Sequence, residues 1–372
     1  MRRVAHLSSH HADDDIRVFR KEAVTLARGG YEVSYVVPTV AERTEQGVRV
    51  VGVTPPSSRL VRLTVTPWRV FGRALRLDAE VYHFHDPELM LPGVVLKLLG
   101  KRVVYDVHED LPRQVLSKAW IPAWVRRPLS VALEILEQAV ARVVDGVIAA
   151  TPHIARRFPA SKTHVVQNFP ILGELATAGA LPQDQRPAQL IYVGGITDIR
   201  GARESVRAIG LLNERRSARL VLVGNVASEE LAAELKALPG WEHVDHKGWL
   251  SREEVAAELA RSRAGLVLFH PVPNHGNAQP NKLFEYMSAG LPVVASDFPA
   301  WRELLVAADC GLLVDPFDVE AIAMAMQAIL DDPAAAQRMG ENGSRAVRCT
   351  FNWDAEATRL LEAYERLVPL GG

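Results

Sequence analysis

The sequence predicts an α/β fold built from two doubly wound, Rossmann-like domains, and three observations support this. The chain has 372 residues, which is too long for one ordinary core and fits two domains of roughly 150–180 residues. Apolar segments of strand length alternate with helical segments over 1–170 and again over 190–350. Between them, 171–189 is rich in Ala, Gly, Pro and Gln and loses this periodicity, so we expect a linker there.

The alternation in the first half begins with the strand RRVAHLSS, the helix DDDIRVFRKEAVTLARGG and the strand YEVSYVVP. Acids open this helix and Gly-Gly ends it, as helix termini favour. The pattern continues through the strand EVYHFHD, the helix ELMLPGVVLKLLG, the strand RVVYDVHE, a long helix at about 128–143 and the strand DGVIAAT. Strands that are apolar throughout are typical of parallel sheets covered on both faces, so we expect such a sheet.

The alternation in the second half restarts at QLIYVGG and continues to the strand LPVVASD and a short GLLVD. Two helices end the chain, and the last one, within 351–372, is expected to pack back on the N-terminal domain. Open parallel sheets bind ligands beyond the carboxyl ends of their strands. We therefore expect the functional site in a cleft that the two domains face.

Composition places the chain among cytoplasmic globular proteins. Hydrophobic residues make up 48% and charged residues 23% of the sequence, which allows a large core. Two cysteines, Cys310 and Cys349, exclude a disulfide scaffold and favour a reducing compartment. The N-terminal segment reaches acids before any apolar region of signal-peptide length, and we expect no secretion signal. The longest apolar stretches are too short or too interrupted to span a bilayer, so no transmembrane helix is expected.

The segment PNKLFEYMSAGLPVVASD (280–297) is the first candidate for ligand binding. It joins a polar turn to an amphipathic helix, whose free N-terminal amides and dipole favour an anion. Lys282 adds a positive charge there, and Glu285 can accept hydrogen bonds from two hydroxyl groups, as a ribose diol requires. The alternative is that both are ordinary surface residues of a helix.

The segment IYVGGITDIRGARESV (191–206) is the second candidate. Glycines after a strand allow close approach of the backbone to a ligand, and a cation before a helix suits a diphosphate. Gly194, Gly195 and Arg200 fill these positions. A tight turn without a ligand is the alternative. Neither GxGxxG nor GxxxxGK[ST] occurs in the sequence, so the dinucleotide-binding and P-loop fingerprints are both missing.

These two segments, together with HHADDDIRVFRKEA, HFHDPE, YDVHED and HKGWL, resemble the retaining GT-B glycosyltransferases of family four, which include many bacterial polysaccharide-assembly enzymes. The resemblance extends over nearly the whole chain. It implies two Rossmann-like domains facing across a cleft, a nucleotide-sugar donor as substrate, no cofactor and no bound metal. A nucleic-acid partner is not expected.

The resemblance also implies roles for residues of the C-terminal domain. Glu285 matches the glutamate that holds the donor ribose, and Arg200 matches one of two cations that hold the diphosphate. The place of the other cation is taken by Gly195, and Asn277 stands where the family has the first glutamate of a pair. The expected donor-binding residues are Gly194, Gly195, Arg200, Gly248, Trp249, Leu250, Asn277, Asn281, Lys282, Leu283 and Glu285. Among them, 248–250 matches the loop whose backbone contacts the base.

Catalytic candidates lie in the N-terminal half. His108 follows the strand in YDVHED, and in similar enzymes a histidine here lies beside the reacting sugar, where it can steady developing charge. A general base for the acceptor hydroxyl is also required at that place. We take His108, Glu109 and Asp15 as candidates. For Asp15 and the two acids before it, stabilisation of the helix dipole is the alternative.

A basic surface in the first half is the candidate contact for the acceptor or a membrane. Residues 1–170 carry 24 Lys and Arg against 17 Asp and Glu. On one helical face lie Arg69, Arg73 and Arg76, and two tryptophans, Trp120 and Trp124, follow in a segment that also contains arginines. Aromatic and basic residues together suit the headgroup region of an anionic membrane. Ordinary helix packing with solvated arginines is the alternative.

The combined expectation is a hexosyltransferase that acts with retention. Its donor is expected to be a UDP- or GDP-sugar, and its acceptor a glycan or lipid-linked molecule in surface polysaccharide or glycolipid assembly at the inner face of the plasma membrane. One alternative is a nucleotide-sugar epimerase on the same fold. Another is a non-catalytic nucleotide-sugar-binding protein, which Asn277 in place of a glutamate favours.

Overall fold

The computed structural model describes residues 2–118, 120–175 and 181–368. These residues form two compact units, one from Met1–Asn168 with Trp353–Gly372 and one from Phe169–Asn352. Where it is described, the predicted linker 171–189 belongs to the second unit; its residues 176–180 lie outside the described part of the chain. The end of the predicted C-terminal segment, 369–372, is also outside it.

The first unit contains one sheet with the strand order β3-β4-β2-β1-β5-β6-β7-β8 over the described residues. The strands are β1 (Arg3–Leu7), β2 (Glu32–Pro38), β3 (Arg43–Glu45), β4 (Val48–Val53), β5 (Val81–Phe84), β6 (Arg102–Val107), β7 (Gly146–Ala149) and β8 (Thr163–Val165). All neighbouring strands are parallel except β3 and β4. The doubly wound α/β class predicted from the sequence is therefore confirmed for this half.

Helices connect these strands. They are α1, which is π-helical over Ile16–Ala23 and α-helical over Val24–Arg28, α2 (Arg59–Thr64), α3 (Thr66–Leu75), α4 (Met90–Leu98), α5 (Leu111–Leu116), α6 (Ala123–Val143) and α7 (Pro152–Ala155). The core packs apolar strand residues such as Leu7, Phe84 and Tyr105 against α4 and α6. Leu7 pairs in register with Phe84, which in turn pairs with Tyr105, so β1, β5 and β6 end at the same edge.

The second unit contains a six-stranded parallel sheet in the order β11-β10-β9-β12-β13-β14. Its strands are β9 (Gln189–Val193), β10 (Arg219–Val223), β11 (Val244–Gly248), β12 (Ala264–Val267), β13 (Val293–Ser296) and β14 (Gly311–Val314). Its helices are α8 (Ala202–Asn213), α9 (Glu229–Ala237), α10 (Arg252–Arg261), α11 (Asn281–Ser288), α12 (Pro299–Ala308), α13 (Val319–Asp331) and α14 (Pro333–Cys349). Apolar clusters cover both sheet faces.

The last helix, α15 (Trp353–Leu367), belongs to the first unit. Its Trp353 indole donates to Thr25 Oγ1 at 3.0 Å, and its Tyr364 hydroxyl lies 2.8 Å from His83 Nδ1. The chain therefore returns to its N-terminal half after completing the second sheet. No helix in the described ranges combines the length and apolar character that crossing a membrane requires.

Two helices of the second unit, α12 and α14, were not predicted from the sequence. Gly340 and Gly343 lie inside α14, and glycine is unfavourable in a helix by roughly 1 kcal/mol relative to alanine. Both glycines allow close packing: a Cβ on Gly340 would lie 2.1 Å from the Gly290 carbonyl oxygen, and one on Gly343 would be 3.3 Å from Met287. Close packing against the end of α11 therefore explains why glycines occur inside α14, although they lower its helix propensity.

Candidate active site

Glycines shape the carboxyl edge of the second sheet. Gly194 follows β9 with φ 111°, and Gly224 follows β10 with φ 131°, a region that side chains rarely allow. A Cβ on Gly224 would lie 2.2 Å from the Gly194 carbonyl oxygen, so the two turns pack backbone to backbone. The Gly224 amide also donates to the carbonyl oxygen of Gly248 at 2.7 Å. Three neighbouring strands thus end in glycine backbone rather than in side chains.

Two cations lie beside the Gly194-Gly195 turn. A Cβ on Gly194 would be 3.7 Å from Lys282 Nζ, and one on Gly195 would be 3.2 Å from Arg200 Nη1. Phe269, just after β12, has its ring 5.5 Å from both Lys282 Nζ and Arg200 Cζ. The structure therefore brings together the glycines and the cations that the sequence singled out in two separate segments.

Lys282 is buried, with 7% of its surface exposed. Its ammonium nitrogen lies 3.6 Å from the centroid of the Tyr192 ring and has no hydrogen-bond partner among the described residues. Burial, and then the charge of Arg200, lower the pKa of Lys282 well below its ordinary value. A buried amine beside a second cation is unfavourable unless an anion joins them. The arrangement is therefore suited to binding a group with several negative oxygens.

Glu285 lies one turn further along α11, and only one of its carboxylate oxygens is engaged. Arg252 donates to Glu285 Oε1 at 2.8 Å and to Glu174 at 2.9 Å. Oε2 of Glu285 makes no hydrogen bond to the described residues. Arg252 thus orients this carboxylate while one oxygen remains able to accept from a ligand hydroxyl.

The other predicted donor-binding residues occupy several environments. Gly248 adopts φ 67°, Trp249 is 74% exposed, and Leu250 packs against the core beneath it. Asn277 and Asn281 are exposed, the latter at the first turn of α11. Leu283 is buried in the hydrophobic core, so only its backbone is available to a ligand.

Several residues of this edge were not predicted from the sequence. Tyr192 supports Lys282 and also donates from its hydroxyl to the Gly195 carbonyl oxygen at 2.8 Å, which fixes the turn. His270 follows β12, and its Nε2 lies 3.2 Å from the Glu204 carboxylate in the first turn of α8. A position shortly after a strand was the available signal for Phe269 and His270, whereas Tyr192 lies inside β9.

His108 lies at the corresponding edge of the first sheet, just after β6. Its Nε2 is 2.6 Å from Asp106 Oδ2, and the same carboxylate accepts from Arg17 Nη2 at 2.8 Å and lies 2.9 Å from His85 Nδ1. Burial raises the pKa of Asp106, but the charges of Arg17 and His108 outweigh it and hold that pKa well below the ordinary value. A charged Asp106 accepts the Nε2 proton of His108 and leaves Nδ1 able to accept a proton.

Asp15 caps helix α1. Its carboxylate accepts from the amides of Arg17 at 2.9 Å and Val18 at 2.8 Å, and it lies 3.0 Å from His11 Nδ1. These contacts correspond to the capping interpretation. Glu109 is exposed and hydrogen-bonds to the side chain of Gln114.

The basic surface predicted from the sequence lies on and directly after α3, just before α6 and in the first turn of α6. Arg69 and Arg76 are exposed, whereas Arg73 pairs with Glu42 at 2.6 Å. Trp124 is 81% exposed. Trp120 lies under the guanidinium of Arg59, 3.9 Å from Cζ to the ring centroid. Aromatic and basic groups are therefore exposed together, with one of the three predicted arginines neutralised.

Family models match both halves of the chain. Residues 17–169 match Glycosyltransferase Family 4, and residues 177–346 match Glycosyl transferases group 1. A phosphatidyl-myo-inositol mannosyltransferase of Mycobacterium leprae is 32% identical over 84% of this chain and 79% of its own length. An MMP α-(1→4)-mannosyltransferase of Mycolicibacterium hassiacum is 26% identical over 76% of this chain and 70% of its own length.

Solved structures share the fold. Sucrose-phosphate synthase from Thermosynechococcus elongatus superposes with a TM-score of 0.78, at 20% identity and 99% coverage of each chain. The Anabaena protein HepE in complex with UDP-glucose gives a TM-score of 0.74, at 15% identity, 98% coverage of this chain and 99% of its own. With a relative at 32% identity and family models over both halves, this chain belongs to the family-four glycosyltransferases of the GT-B fold and is a nucleotide-sugar-dependent glycosyltransferase.

Proposed function

We propose that this enzyme transfers a hexose, with retention of anomeric configuration, from a UDP- or GDP-sugar to a glycan or lipid-linked acceptor in surface polysaccharide or glycolipid assembly. The observation that carries the proposal is the pair of cations beside the Gly194-Gly195 turn. Arg200 and the unpartnered, buried Lys282 offer charge to the two phosphates of a nucleotide diphosphate.

Arg200 and Lys282 would also stabilise the diphosphate as it leaves the donor sugar. Negative charge grows on the β-phosphate as the bond to the sugar breaks, and cations fixed in place before the reaction stabilise it without reorganisation. Lys282 is fixed by Tyr192, and Arg200 precedes the helix α8. Glu285 Oε2 accepts from a ribose hydroxyl and so places the nucleotide along α11. The backbone of 248–250 is suited to contacts with the base.

His108 is the proposed catalytic group of the first unit. Its Nε2 is hydrogen-bonded to Asp106, and its Nδ1 is able to accept a proton or to stabilise positive charge on a sugar. Asp15 is occupied by the helix cap, which favours His108 over Asp15 as the base. Retention is supported by the resemblance to retaining family-four enzymes rather than by a contact within the chain.

The acceptor proposal rests on the relatives and on the basic surface. The Mycobacterium leprae relative is named for transfer of mannose to phosphatidyl-myo-inositol, a lipid. Exposed Arg69, Arg76 and Trp124 fit an anionic lipid surface. We therefore propose peripheral attachment at the inner face of the plasma membrane, with a lipid-linked acceptor as the favoured class.

Incubation of the full chain with UDP- and GDP-hexoses, with and without a lipid extract, tests the proposal. We expect nucleotide diphosphate release that depends on the acceptor, and a product whose anomeric proton coupling in NMR matches that of the donor. Conversion of the nucleotide sugar without acceptor would instead identify an epimerase. Binding without release or transfer across all acceptors would identify a binding protein.

A further inference from the structure

The centre of the first unit contains four fully buried side chains with ligand atoms for a metal ion. They are His6 on β1, Glu22 on α1, and His83 and His85 at the end of β5. Each offers one ligand atom such that all four atoms lie within 4.8 Å of one another. The imidazole rings of the three histidines have centroids 4.6–5.1 Å apart.

The polar atoms of this cluster are not satisfied by the protein. His6 Nε2, His83 Nε2 and both carboxylate oxygens of Glu22 are buried and have no hydrogen-bond partner among the described residues. Arg17 lies 3.1 Å from Glu22, but its N–H groups donate to Asp106 and to the Val166 carbonyl oxygen. Each buried polar atom without a partner costs roughly 1–3 kcal/mol. Glu22 Oε1 keeps the ion pair with Arg17, whereas His83 Nε2 and Glu22 Oε2 are the buried atoms that an ion bound to His6 Nδ1 and His85 Nε2 would also contact.

The neighbours of two histidines hold them as metal ligands are held. His85 Nδ1 is 2.9 Å from the Asp106 carboxylate, and His83 Nδ1 is 2.8 Å from the Tyr364 hydroxyl. Metal-binding histidines almost always use one ring nitrogen for such a contact and the other for the ion. In His83, Nε2 is then available to an ion, because it has no hydrogen-bond partner among the described residues. His85 Nε2 lies 2.9 Å from His6 Nδ1 and shares a hydrogen bond with it, so an ion bound there would replace the shared proton.

The distances are close to those of a four-coordinate site. Nitrogen and oxygen ligands lie roughly 2.0–2.2 Å from Zn²⁺, so two ligands in a tetrahedral site are about 3.4 Å apart. His6 Nδ1 and His85 Nε2 are 2.9 Å apart, so they need to separate by roughly 0.5 Å, and all four ligand atoms lie within 4.8 Å of one another. His83 Nε2 and Glu22 Oε2 are 4.0 Å apart and need to approach by roughly 0.6 Å, which small side-chain rotations provide.

We propose that His6, Glu22, His83 and His85 bind one divalent transition-metal ion, for which Zn²⁺ is the best match. Three imidazoles and one carboxylate are ligands that Zn²⁺ accepts in tetrahedral geometry. All four side chains are buried, so the site is closed and its role is structural. It joins β1, β5 and α1 and, through Asp106, supports His108. The expectation of no bound metal came from the resemblance to family four.

Metal analysis of the full chain tests the site, with a purification tag that contains no histidine. Inductively coupled plasma mass spectrometry is expected to find about one zinc per chain after gel filtration in metal-free buffer. Glu22→Gln and His83→Gln are expected to reduce the bound metal at least about tenfold. His164→Gln, a change on β8 outside the cluster, is the matched control and is expected to leave the metal content unchanged.

X-ray absorption spectroscopy of the wild-type protein tests the site even if the variants do not fold, because it reports the ligands of the bound metal directly. A first shell of nitrogen and oxygen at about 2.0–2.1 Å with imidazole scattering supports the site. If the bound ion is a different transition metal that is lost in the same ligand variants, the site is supported and only the identity of the ion changes. A wild-type chain that stays metal-free after incubation with ZnCl₂, or folded ligand variants that keep the metal, would overturn the proposal. None of these outcomes depends on transferase activity.

Discussion

At the residue scale, Lys282 connects stability with donor binding. Replacing it by methionine retains the apolar stem but removes a buried amine that lacks a hydrogen-bond partner among the described residues. We expect Lys282→Met to increase the free energy of unfolding of the ligand-free enzyme. We also expect it to weaken binding of UDP or GDP roughly ten- to hundredfold, because a hydrogen bond to a charged group contributes about 1.5–3 kcal/mol. Chemical denaturation and titration calorimetry measure the two effects.

The exposed Lys236 on α9 provides the control for that change. Lys236→Met should alter neither nucleotide affinity nor stability by more than about 0.5 kcal/mol. If Lys282→Met destabilises the free enzyme and leaves nucleotide affinity unchanged, Lys282 is a structural residue and not a phosphate ligand.

Glu285 is expected to act on the nucleotide through its free oxygen. Glu285→Ala should weaken nucleotide-sugar binding by about 1–3 kcal/mol, since ribose hydroxyls lose their acceptor. Arg252 keeps Glu174 as a partner, which limits the structural damage. Calorimetry with the matched nucleotide gives the measurement, and Glu303→Ala on α12 is the exposed control. An unchanged affinity would remove the ribose assignment.

Residue types and positions in the sequence were enough to select part of the candidate site. Gly194, Gly195, Arg200 and Lys282 were chosen from two segments about 80 residues apart, and the structure places them in one location. Asp106 was not chosen, because an aspartate inside an apolar strand has no sequence feature that reveals a histidine partner. Tyr192 was missed for the same reason, as its role depends on contacts from a distant helix.

At the element scale, the cap of α1 determines part of the stability of the first unit. Asp15→Ala should lower the free energy of unfolding by about 1 kcal/mol, with a range of roughly 0.5–2, whereas Asp15→Asn should retain most of it because asparagine also caps helices. Although burial raises the pKa of Asp15, contacts with His11 and the Val18 amide lower it overall. The stabilisation is therefore present above the pKa of the unfolded chain and lost as pH falls through the lower folded value.

Unfolding measured from neutral to acidic pH distinguishes the two variants. Wild-type enzyme should lose its advantage over Asp15→Ala as the medium becomes acidic, and Asp15→Asn should show a flatter pH dependence. A transferase rate that collapses in Asp15→Asn while its stability remains near wild type would instead assign Asp15 a catalytic role.

The helix α3 is the element that tests membrane attachment. Replacing Arg69, Arg73 and Arg76 with glutamine should reduce binding to anionic liposomes about tenfold or more, because each basic residue near such a surface contributes about 1 kcal/mol. Arg73 should contribute least, since Glu42 already neutralises it. Transfer to a soluble acceptor should be unchanged. Vesicle sedimentation is the measurement.

A triple replacement on α14 controls for loss of net charge. Arg338, Arg345 and Arg348 are exposed there, and their change to glutamine should leave liposome binding intact. Equal loss in both triple variants would indicate a general charge effect, and undiminished binding of the α3 variant would contradict the membrane proposal.

Hydrophobic periodicity predicted the secondary structure correctly where the local conformational preference of the residues agrees with their tertiary packing. Most strands and the helices α8, α9 and α10 lie where apolar patterning and capping residues place them, whereas the strands β3, β4 and β8 were not predicted from the sequence. Helix α14 was missed because its glycines oppose a helix locally and are explained only by close contact with Gly290 and Met287. Helix α1 begins at Ile16, after Asp15 as its cap, and its π-helical first part has no signature in the sequence.

At the scale of the whole molecule, the pattern of alternating elements was sufficient to predict two parallel α/β sheets. The strand orders were not predicted from the sequence, because the preference for right-handed crossovers between parallel strands limits the number of topologies without selecting one. The buried polar cluster around His6 and Glu22 was not predictable, because its members come from β1, α1 and β5 and meet only in the folded sheet.

The structure of the full chain in complex with a UDP- or GDP-sugar is the most direct measurement of donor recognition. We expect diphosphate oxygens within hydrogen-bonding distance of Arg200 and Lys282 Nζ, beside the Gly194-Gly195 turn, and a ribose hydroxyl on Glu285 Oε2. A nucleotide whose phosphates contact neither cation, or that binds away from the carboxyl edge of the second sheet, would contradict the proposed mechanism.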